Sequence, residues 1–363
     1  MGPSLKIVLL SCVAGSLYLY GSLLILVDTL LSSLPLPVIF PLLLLLLVYG
    51  IRLQPSPDYL VESVLGKDLD PEADEDKNEE TSHEFYLDRV AHRGAGYDAP
   101  ENSISSFQLA HEHGCMAVEF DVALTADGVP VLFHDKSLLR MCEVDKKISE
   151  MTFEDLEILD ISTTHPLSRS FAGEQIPQLD EAIEECLKLD MRVFIDLKDN
   201  DTRTLIAVLK MFEKYPDLQA RAVITSFYPN LIFWVKRAVP SVVCALSWRP
   251  GLIAYEDYTY SRSVGGPYRR RYPVFWQHAL AVIADVIHQW CFFNVYDFLL
   301  GISAVIVHKD CLSPDQVRQW RKRGVRAIAW PVNLACEKEY FSKALHVTYM
   351  TDTLRELHNS CII

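Results

Sequence analysis

Residues 117–134 read AVEFDVALTADGVPVLFH. Two runs of strand-forming residues, 118–124 and 129–133, are joined only by Thr125-Ala126-Asp127-Gly128. A parallel crossover needs about a dozen residues or more, so this join is an antiparallel hairpin. Glu119 and Asp121 are spaced i, i+2 and face the same side of the first run. The return leg brings His134 back beside both carboxylates.

Outward from the hairpin the pattern changes. Short β-branched or apolar runs fall at 89–91, 117–120, 193–195, 223–225, 243–246, 304–307, 327–329 and 348–350. Helical patterns lie between most of them, for example at 179–189, 202–215, 231–238, 314–322 and 337–345. Eight such alternations predict an α/β fold, a TIM (β/α)8-type barrel, over residues 87–363. The hairpin is then an excursion from the end of the second barrel strand. A long insertion, residues 249–303, separates the fifth and sixth. It holds Arg269-Arg270-Arg271 and then an aromatic-rich run from Phe275-Trp276 through Trp290, Phe292 and Phe293 to Phe298. Asp285, His288, Asn294 and Asp297 interrupt that run, which argues against a membrane span. Two readings stand. One is an elongated barrel helix with extra packing. The other is an interfacial flap, with arginines at headgroups and aromatics at the acyl boundary.

Ahead of the barrel, Ile7 to Val27 carries no charge over 21 residues, and a second apolar run of 16 residues covers 36–51. These predict an N-terminal membrane segment, residues 1–55, of one or two transmembrane helices, hence an integral membrane protein with the lipid bilayer as a partner. Residues 68–84 read DLDPEADEDKNEETSHE, so 56–86 is expected to be an acidic disordered linker. The net charge of −14 excludes nucleic acid, whose phosphates need a basic surface. The nine cysteines include no C-x-x-C pair, so neither a zinc site nor a disulfide framework is indicated.

Polar groups at the C-terminal ends of barrel strands point into the active site. Those positions hold His92-Arg93, Glu119 and Asp121, Asp196 and Lys198, Ser226, His308, and Trp330 with Asn333. His134 joins them through the hairpin. Glu119, Asp121 and Asp196 offer hard oxygen ligands, suited to Mg²⁺ or Ca²⁺ rather than zinc. Arg93 and Lys198 suit an anionic phosphoryl group. Two histidines can divide general acid and general base duties. His308, at the end of the sixth strand, is expected to face the mouth, either as a substrate contact or as a satisfied rim histidine. Together these groups indicate phosphoryl transfer.

The strings His92-Arg93-Gly94, Ala99-Pro100-Glu101-Asn102, Val118-Glu119-Phe120-Asp121-Val122 and Val131-Leu132-Phe133-His134-Asp135 resemble the signature of the glycerophosphodiester phosphodiesterase family. Ile195-Asp196-Leu197-Lys198, Thr225-Ser226-Phe227, Trp330-Pro331-Val332-Asn333 and Met350-Thr351-Asp352 extend the likeness in order along the chain. The N-terminal hydrophobic pair and the aromatic insertion resemble the membrane-bound animal type more than the soluble bacterial members. The resemblance implies that His92 and His134 are catalytic and that Glu119, Asp121 and Asp196 bind the metal. It implies phosphate or substrate contacts for Arg93, Lys198, Glu101, Asn102 and Trp330. Many relatives carry Glu where this chain has Asp196, which shortens one ligand arm. The reaction implied is metal-dependent hydrolysis of glycerophosphodiesters to an alcohol and glycerol 3-phosphate, through attack by the glycerol 2-hydroxyl and a cyclic 1,2-phosphate. One alternative is a lysophospholipase D acting on lysophospholipids or N-acyl glycerophosphoethanolamines. Another is a catalytically silent membrane interaction module, against which stands the fact that every catalytic and ligand position is filled.

Three oxygen ligands at adjacent strand ends make a direct prediction. Exhaustive chelation with EDTA should abolish turnover, and added Mg²⁺ or Ca²⁺ should restore it. Undiminished turnover after chelation rules this ligand set out.

Overall fold

The strand Ala117–Leu124 (β2) is buried along its whole length. Such a strand needs neighbours on both edges and cover on both faces, which a parallel sheet closed into a barrel supplies. The computed structural model of the chain describes residues 15–29, 36–68, 85–256, 258 and 269–356. The chain divides into two units, Met1–Arg52 and Leu53–Ile363.

The second unit is the barrel. Its strands are Arg89–Ala91 (β1), β2, Pro130–Leu132 (β3), Arg192–Leu197 (β4), Ala222–Ser226 (β5), Val243–Trp248 (β6), Ala304–His308 (β7), Arg326–Trp330 (β8) and Thr348–Thr351 (β9). All except β3 run parallel, and β1 pairs with both β2 and β9, which closes an eight-stranded barrel. The eight expected strands are these eight.

β3 pairs antiparallel with β2, Val122 opposite Leu132, so the hairpin also stands. Its turn is tied by Gly128 N–H to the Thr125 carbonyl (3.1 Å), with Gly128 in the left-handed region at φ 81°. The excursion is larger than a hairpin. Ala123, Val131, Phe133, Leu138, Met141, Ile148, Leu156 and Ile176 form a separate apolar cluster beneath it.

Side chains alternate across each strand, so the barrel has two apolar layers. Val118, Phe120, Ile195, Ile224, Leu246, Val305 and Ala329 face outward, against Ile183, Val208, Ile232 and Trp320 of the helices. Val90, Ala117, Phe194, Val223, Val243, Ala304, Ile328 and Met350 face inward and fill the lower barrel. Two or four residues further along, the inward positions become His92, Glu119, Asp121, Asp196, Thr225, Ser247, His308, Trp330 and Asp352. Each strand is thus apolar where it enters the barrel and polar where it leaves.

The floor of the barrel corrects the linker expectation. Asp58–Leu65 is a helix, not a disordered tether, and its Leu60, Val61, Val64 and Leu65 join the inner cluster. Gly66 then bridges to Tyr86, and the Arg192 guanidinium lies 3.8 Å over the Phe85 ring. The buried Lys236 ammonium donates to Ser56 Oγ (3.0 Å) and the Pro240 carbonyl (2.7 Å), which fixes the entry of the chain. Only the most acidic part of the expected linker, 69–84, lies outside the described residues.

In the first unit, residues 15–29 and Leu36–Ile51 are helical. No helix among the described residues is long and apolar enough to cross a membrane. At 1.5 Å per residue the 16-residue helix Leu36–Ile51 is about 24 Å long, short of a hydrocarbon core of about 30 Å. The expected transmembrane helices are therefore not found among these residues, while 1–14 and 30–35 lie outside them.

If the short helix is a barrel floor, Leu65→Ala should cost about 2–5 kcal/mol of unfolding free energy, seen as a lower Tm. A loss under about 0.5 kcal/mol, the value of an ordinary surface change, restores the linker reading.

Candidate active site

β1 ends in a backbone reversal. Arg93, Gly94 and Ala95 all take positive φ (53°, 80° and 69°), and Asn102 does so at 57°. Left-handed non-glycine residues cost of order 1–3 kcal/mol each, so other contacts must hold them. Arg93 N–H donates to Glu119 Oε2 (2.9 Å), and Asn102 N–H donates to the Arg93 carbonyl (2.9 Å). Gly94 is required by space as well as by φ. A Cβ there would lie 2.0 Å from Ser106 Oγ, in the helix Ile104–Glu112 that packs beneath the loop.

The loop sits over three buried carboxylates. Glu119, Asp121 and Asp196 each place an oxygen within 4.8 Å of the others. β2 and β4 pair with Asp121 directly opposite Asp196. Asp121 accepts from Asn102 Nδ2 (2.9 Å), and its own N–H donates to Asn102 Oδ1 (3.0 Å). Asp196 accepts from Thr225 Oγ1 (2.9 Å). The Lys198 ammonium stands between them, 3.0 Å from Asp121 Oδ1 and 2.7 Å from Asp196 Oδ2. Burial and the neighbouring Asp121 push Glu119 up to about 8. Asp121 is buried too, but Lys198, His134 and Arg93 hold it far below the usual carboxylate range. A cluster that leaves one carboxylate this reluctant to ionise is short of positive charge. The donor set therefore fits a hard divalent cation.

Two histidines flank the cluster, each oriented by a carboxylate. His92 Nδ1 lies 2.6 Å from Asp352 Oδ1, and His134 Nδ1 lies 2.6 Å from Asp135 Oδ1. Despite its burial, Asp352 is held down to about 2, with His92 the main cause. Burial raises the Asp135 carboxyl, but hydrogen bonds from His134 and Arg140 outweigh it and leave it far below the usual range. Both are therefore ionised and can only accept, so each imidazole donates Nδ1–H and keeps Nε2 for the cavity. Burial depresses the His92 imidazolium, yet Asp352 and Glu119 outweigh it and raise its pKa. Burial and Lys198 lower that of His134.

His92, Arg93, Glu119, His134, Asp196, Lys198 and Trp330 line one cavity of about 400 Å³ at the barrel mouth. His92, Arg93 and Trp330 also border a second of about 670 Å³, walled by Tyr97, Glu101, Arg140, His165 and Asp352.

Some expected substrate contacts have other partners. Asn102 is buried and spends its amide on Asp121. Glu101 accepts from Arg93 Nη1 (3.1 Å) and from Arg140 Nη2 (2.6 Å), so it positions a cation on the wall of the second cavity. Lys198 pairs with the carboxylates while still lining the first. His308 packs between Tyr258 and Trp330, at ring distances of 4.6 and 5.5 Å. It accepts from Asp310 N–H, and burial pulls it down to about 4, so it supports the wall behind Trp330.

Sequence reasoning gave no role to Asp352, Asp135 or Arg140. The same strand-end rule that found His92 reaches Asp352, one residue past β9. Asp352 is itself fixed by Asn333, through Nδ2 to Oδ2 (2.7 Å) and through Asp352 N–H to Asn333 Oδ1 (2.8 Å).

A carboxylate that fixes a tautomer makes a specific prediction. Asp352→Asn should lower kcat by about 10²–10⁴ with the fold intact, because an amide no longer enforces Nδ1–H. The depressed Asp352 carboxyl contributes stability that is present above its unfolded value of about 4 and is lost as pH falls through about 2. The gap in unfolding free energy between wild type and variant should therefore shrink as pH falls below about 4, and shrink again as pH rises through the raised His92 value. A gap independent of pH refutes the pairing.

Comparison with known proteins agrees with this geometry. The model of the Glycerophosphoryl diester phosphodiesterase family matches residues 92–363. The chain is 34% identical to glycerophosphodiester phosphodiesterase 1 of Mus musculus over 267 residues, 74% of this chain and 78% of that one. The Homo sapiens protein of the same name is 34% identical over 270 residues, 74% and 79% of the two chains. Among solved structures, an Oleispira antarctica phosphodiesterase in complex with the product sn-glycerol-3-phosphate superposes with a TM-score of 0.56 at 24% identity, covering 73% of this chain and 92% of that one. On the family match and the extent of these identities, the chain belongs to the glycerophosphoryl diester phosphodiesterase family and with it to the phosphoric diester hydrolases.

Proposed function

We propose that the protein hydrolyses glycerophosphodiesters to an alcohol and glycerol 3-phosphate, with the glycerol 2-hydroxyl as the attacking group. One observation carries this reading: two carboxylate-oriented histidines and Arg93 line a single cavity above three buried carboxylates. Glu119, Asp121 and Asp196 would hold a divalent cation, which would supply charge neutralisation for the phosphodiester. Arg93 binds and orients the phosphoryl oxygens, and Lys198, which lines the same cavity between Asp121 and Asp196, assists.

Among the described residues, the short hydroxyls of the cavity floor are already engaged. Thr225 Oγ1 donates to Asp196 (2.9 Å) and accepts from Ser247 Oγ (3.2 Å). The substrate 2-hydroxyl fills the gap. Its oxygen forms a bond to phosphorus, and the bond to the leaving alcohol breaks. One histidine Nε2 takes the hydroxyl proton and the other protonates the departing oxygen. Water then opens the cyclic 1,2-phosphate with the roles reversed. Intramolecular delivery is worth effective molarities of about 10⁵–10⁸ M.

Lysophospholipids with a free 2-hydroxyl satisfy the same chemistry and form the second reading. The apolar helix beside the cavity wall, described below, favours it. The uncharged N-terminal runs support membrane anchoring, which would concentrate the enzyme at such substrates.

The test uses the full-length protein in detergent, with glycerophosphocholine and lysophosphatidylcholine as substrates and with glycerol 3-phosphate and lysophosphatidate as the products read. His92→Ala and His134→Ala should each lower kcat by about 10²–10⁴ with the fold intact, His92→Ala also lowering Tm because Asp352 loses its partner. The 2-O-methyl analogue of glycerophosphocholine should bind and not turn over. Its full turnover means that water attacks directly, and the cyclic intermediate is then abandoned.

A further inference from the structure

The helix Phe275–Asn294 within the long insertion is built inside out. A surface helix normally turns its apolar stripe to the core and its polar residues to water. Here the ionisable residues turn inward. His278 and His288 are buried, the first against the Tyr255 ring and the second beside the Tyr296 hydroxyl (3.2 Å). Asp285 accepts from the backbone N–H groups of Ile253 and Ala254, both at 2.8 Å. The outward face carries Trp276, Leu280, Ile283, Ile287 and Trp290, each more than half exposed. Their spacing of 4, 3, 4 and 3 puts them in one stripe. Gln289 and Asn294 are the only exposed polar side chains of this helix. With 20 residues, it is about 30 Å long.

We infer that this helix is a membrane-docking element that lies flat on a lipid bilayer with its apolar stripe at the acyl boundary. Three features single out lipid. Tryptophan stands at both ends of the stripe, where an amphipathic ring suits the headgroup level. The exposed Arg269, Arg270 and Arg271 precede the helix in a chain whose net charge is −14. Glu256 pairs with Arg269, but Asp285 is the one acidic residue from 269 to 294 and faces inward, so with Arg270 and Arg271 this face still complements anionic headgroups. The stripe also lacks the rim of charged and hydrogen-bonding side chains that a protein interface carries.

The helix is wired to the site. Asp285 holds the strap 252–256, which Arg249 also clamps through the Tyr255 and Glu256 carbonyls (3.2 and 2.8 Å). Leu252 and Glu256 of that strap, with Tyr258, line the 400 Å³ cavity. Docking would therefore set the cavity wall at the lipid surface, where a lysophospholipid headgroup can enter without the lipid leaving the bilayer. That consequence rests on the lysolipid reading above; the docking does not.

The experiment reconstitutes the full-length protein into phosphatidylcholine–phosphatidylserine vesicles whose acyl chains carry bromine, a contact quencher of tryptophan. Wild-type emission should be quenched, and the quenched fraction should fall in both W276F and W290F. In the double variant I283E/I287E the contribution of these tryptophans should become unquenched. Its kcat/KM on vesicle-borne lysophosphatidylcholine should drop about tenfold or more, with hydrolysis of soluble glycerophosphocholine unchanged. Both positions are exposed, so melting should match wild type; if it does not, I283S/I287S replaces the pair. Trp276 and Trp290 emission that bromolipids leave unchanged overturns the proposal. If the wild type is then dimeric in detergent and the variant monomeric, a second copy covers the face instead. Quenching without any lysolipid hydrolysis upholds docking and removes the lysolipid reading alone.

Discussion

Mutual repulsion among Glu119, Asp121 and Asp196 is the constraint on which the upper half of this barrel depends. Carboxylates within 4.8 Å of one another and away from water cannot all be ionised unless positive charge is brought to them. The surroundings do this in part. Lys198 is inserted between two of them, Arg93 approaches Asp121 at 3.4 Å, and Asn102 and Thr225 donate hydrogen bonds. The deficit remaining at Glu119 is why a cation fits there. The same demand explains the strained loop after β1. Only a chain that reverses through Arg93, Gly94 and Ala95 can turn a backbone N–H onto Glu119 and bring a guanidinium to Asp121.

Such a cluster weakens the sheet that carries it. Asp121 and Asp196 lie directly opposite each other on adjacent strands, where like charges destabilise. The compensation is spatially separate. The lower barrel is filled by inward residues that are uniformly apolar, and the helix Asp58–Leu65 closes it from beneath. Stability is concentrated at the N-terminal ends of the strands and chemistry at the C-terminal ends, as period-two alternation permits. No strand needs to be both well packed and reactive at the same level.

The eight barrel strands, the hairpin and the two histidines were legible because each depends on local rules: alternation, turn length and position at a strand end. The carboxylate trio was legible for the same reason, since i, i+2 spacing aims Glu119 and Asp121 inward and Asp196 stands at the end of the next parallel strand. The misreadings have physical causes too. Leu60, Val61, Val64 and Leu65, ending at Gly66, form a helical pattern with a C-terminal glycine. Their proximity to the acidic run at 68–84 hid a segment that belongs to the floor. Asn102 and Glu101 looked like substrate contacts because they adjoin the site, whereas their bonds run sideways to Asp121, Arg93 and Arg140. Partner choice among buried polar groups is a three-dimensional property, and one-dimensional spacing does not carry it. Asp352 lies 260 residues from His92, and only closure of β9 onto β1 brings them together.

Charge at the mouth links the two ends of the argument. Glu101, Glu119, Asp121, Asp135, Asp196 and Asp352 converge there, against Arg93, Arg140 and Lys198 as permanent cations. Even with Glu119 protonated and with Glu256 and Arg249 of the cavity wall added, carboxylates outnumber fixed cations, so the protein side chains alone would repel a phosphodiester. A divalent cation at the candidate metal site would offset much of the difference, and productive binding of an anion would then be conditional on that site being filled. Approach to an anionic surface faces the same difficulty on a larger scale, because a chain of net charge −14 is repelled by it. In the docking we infer, the insertion would answer locally. Its three arginines and uncharged outward stripe form a neutral-to-basic edge beside the cavity wall, on an otherwise acidic molecule. Both features follow one rule: where this protein must meet phosphate, its own negative charge is turned inward and paired, or set beside a cation.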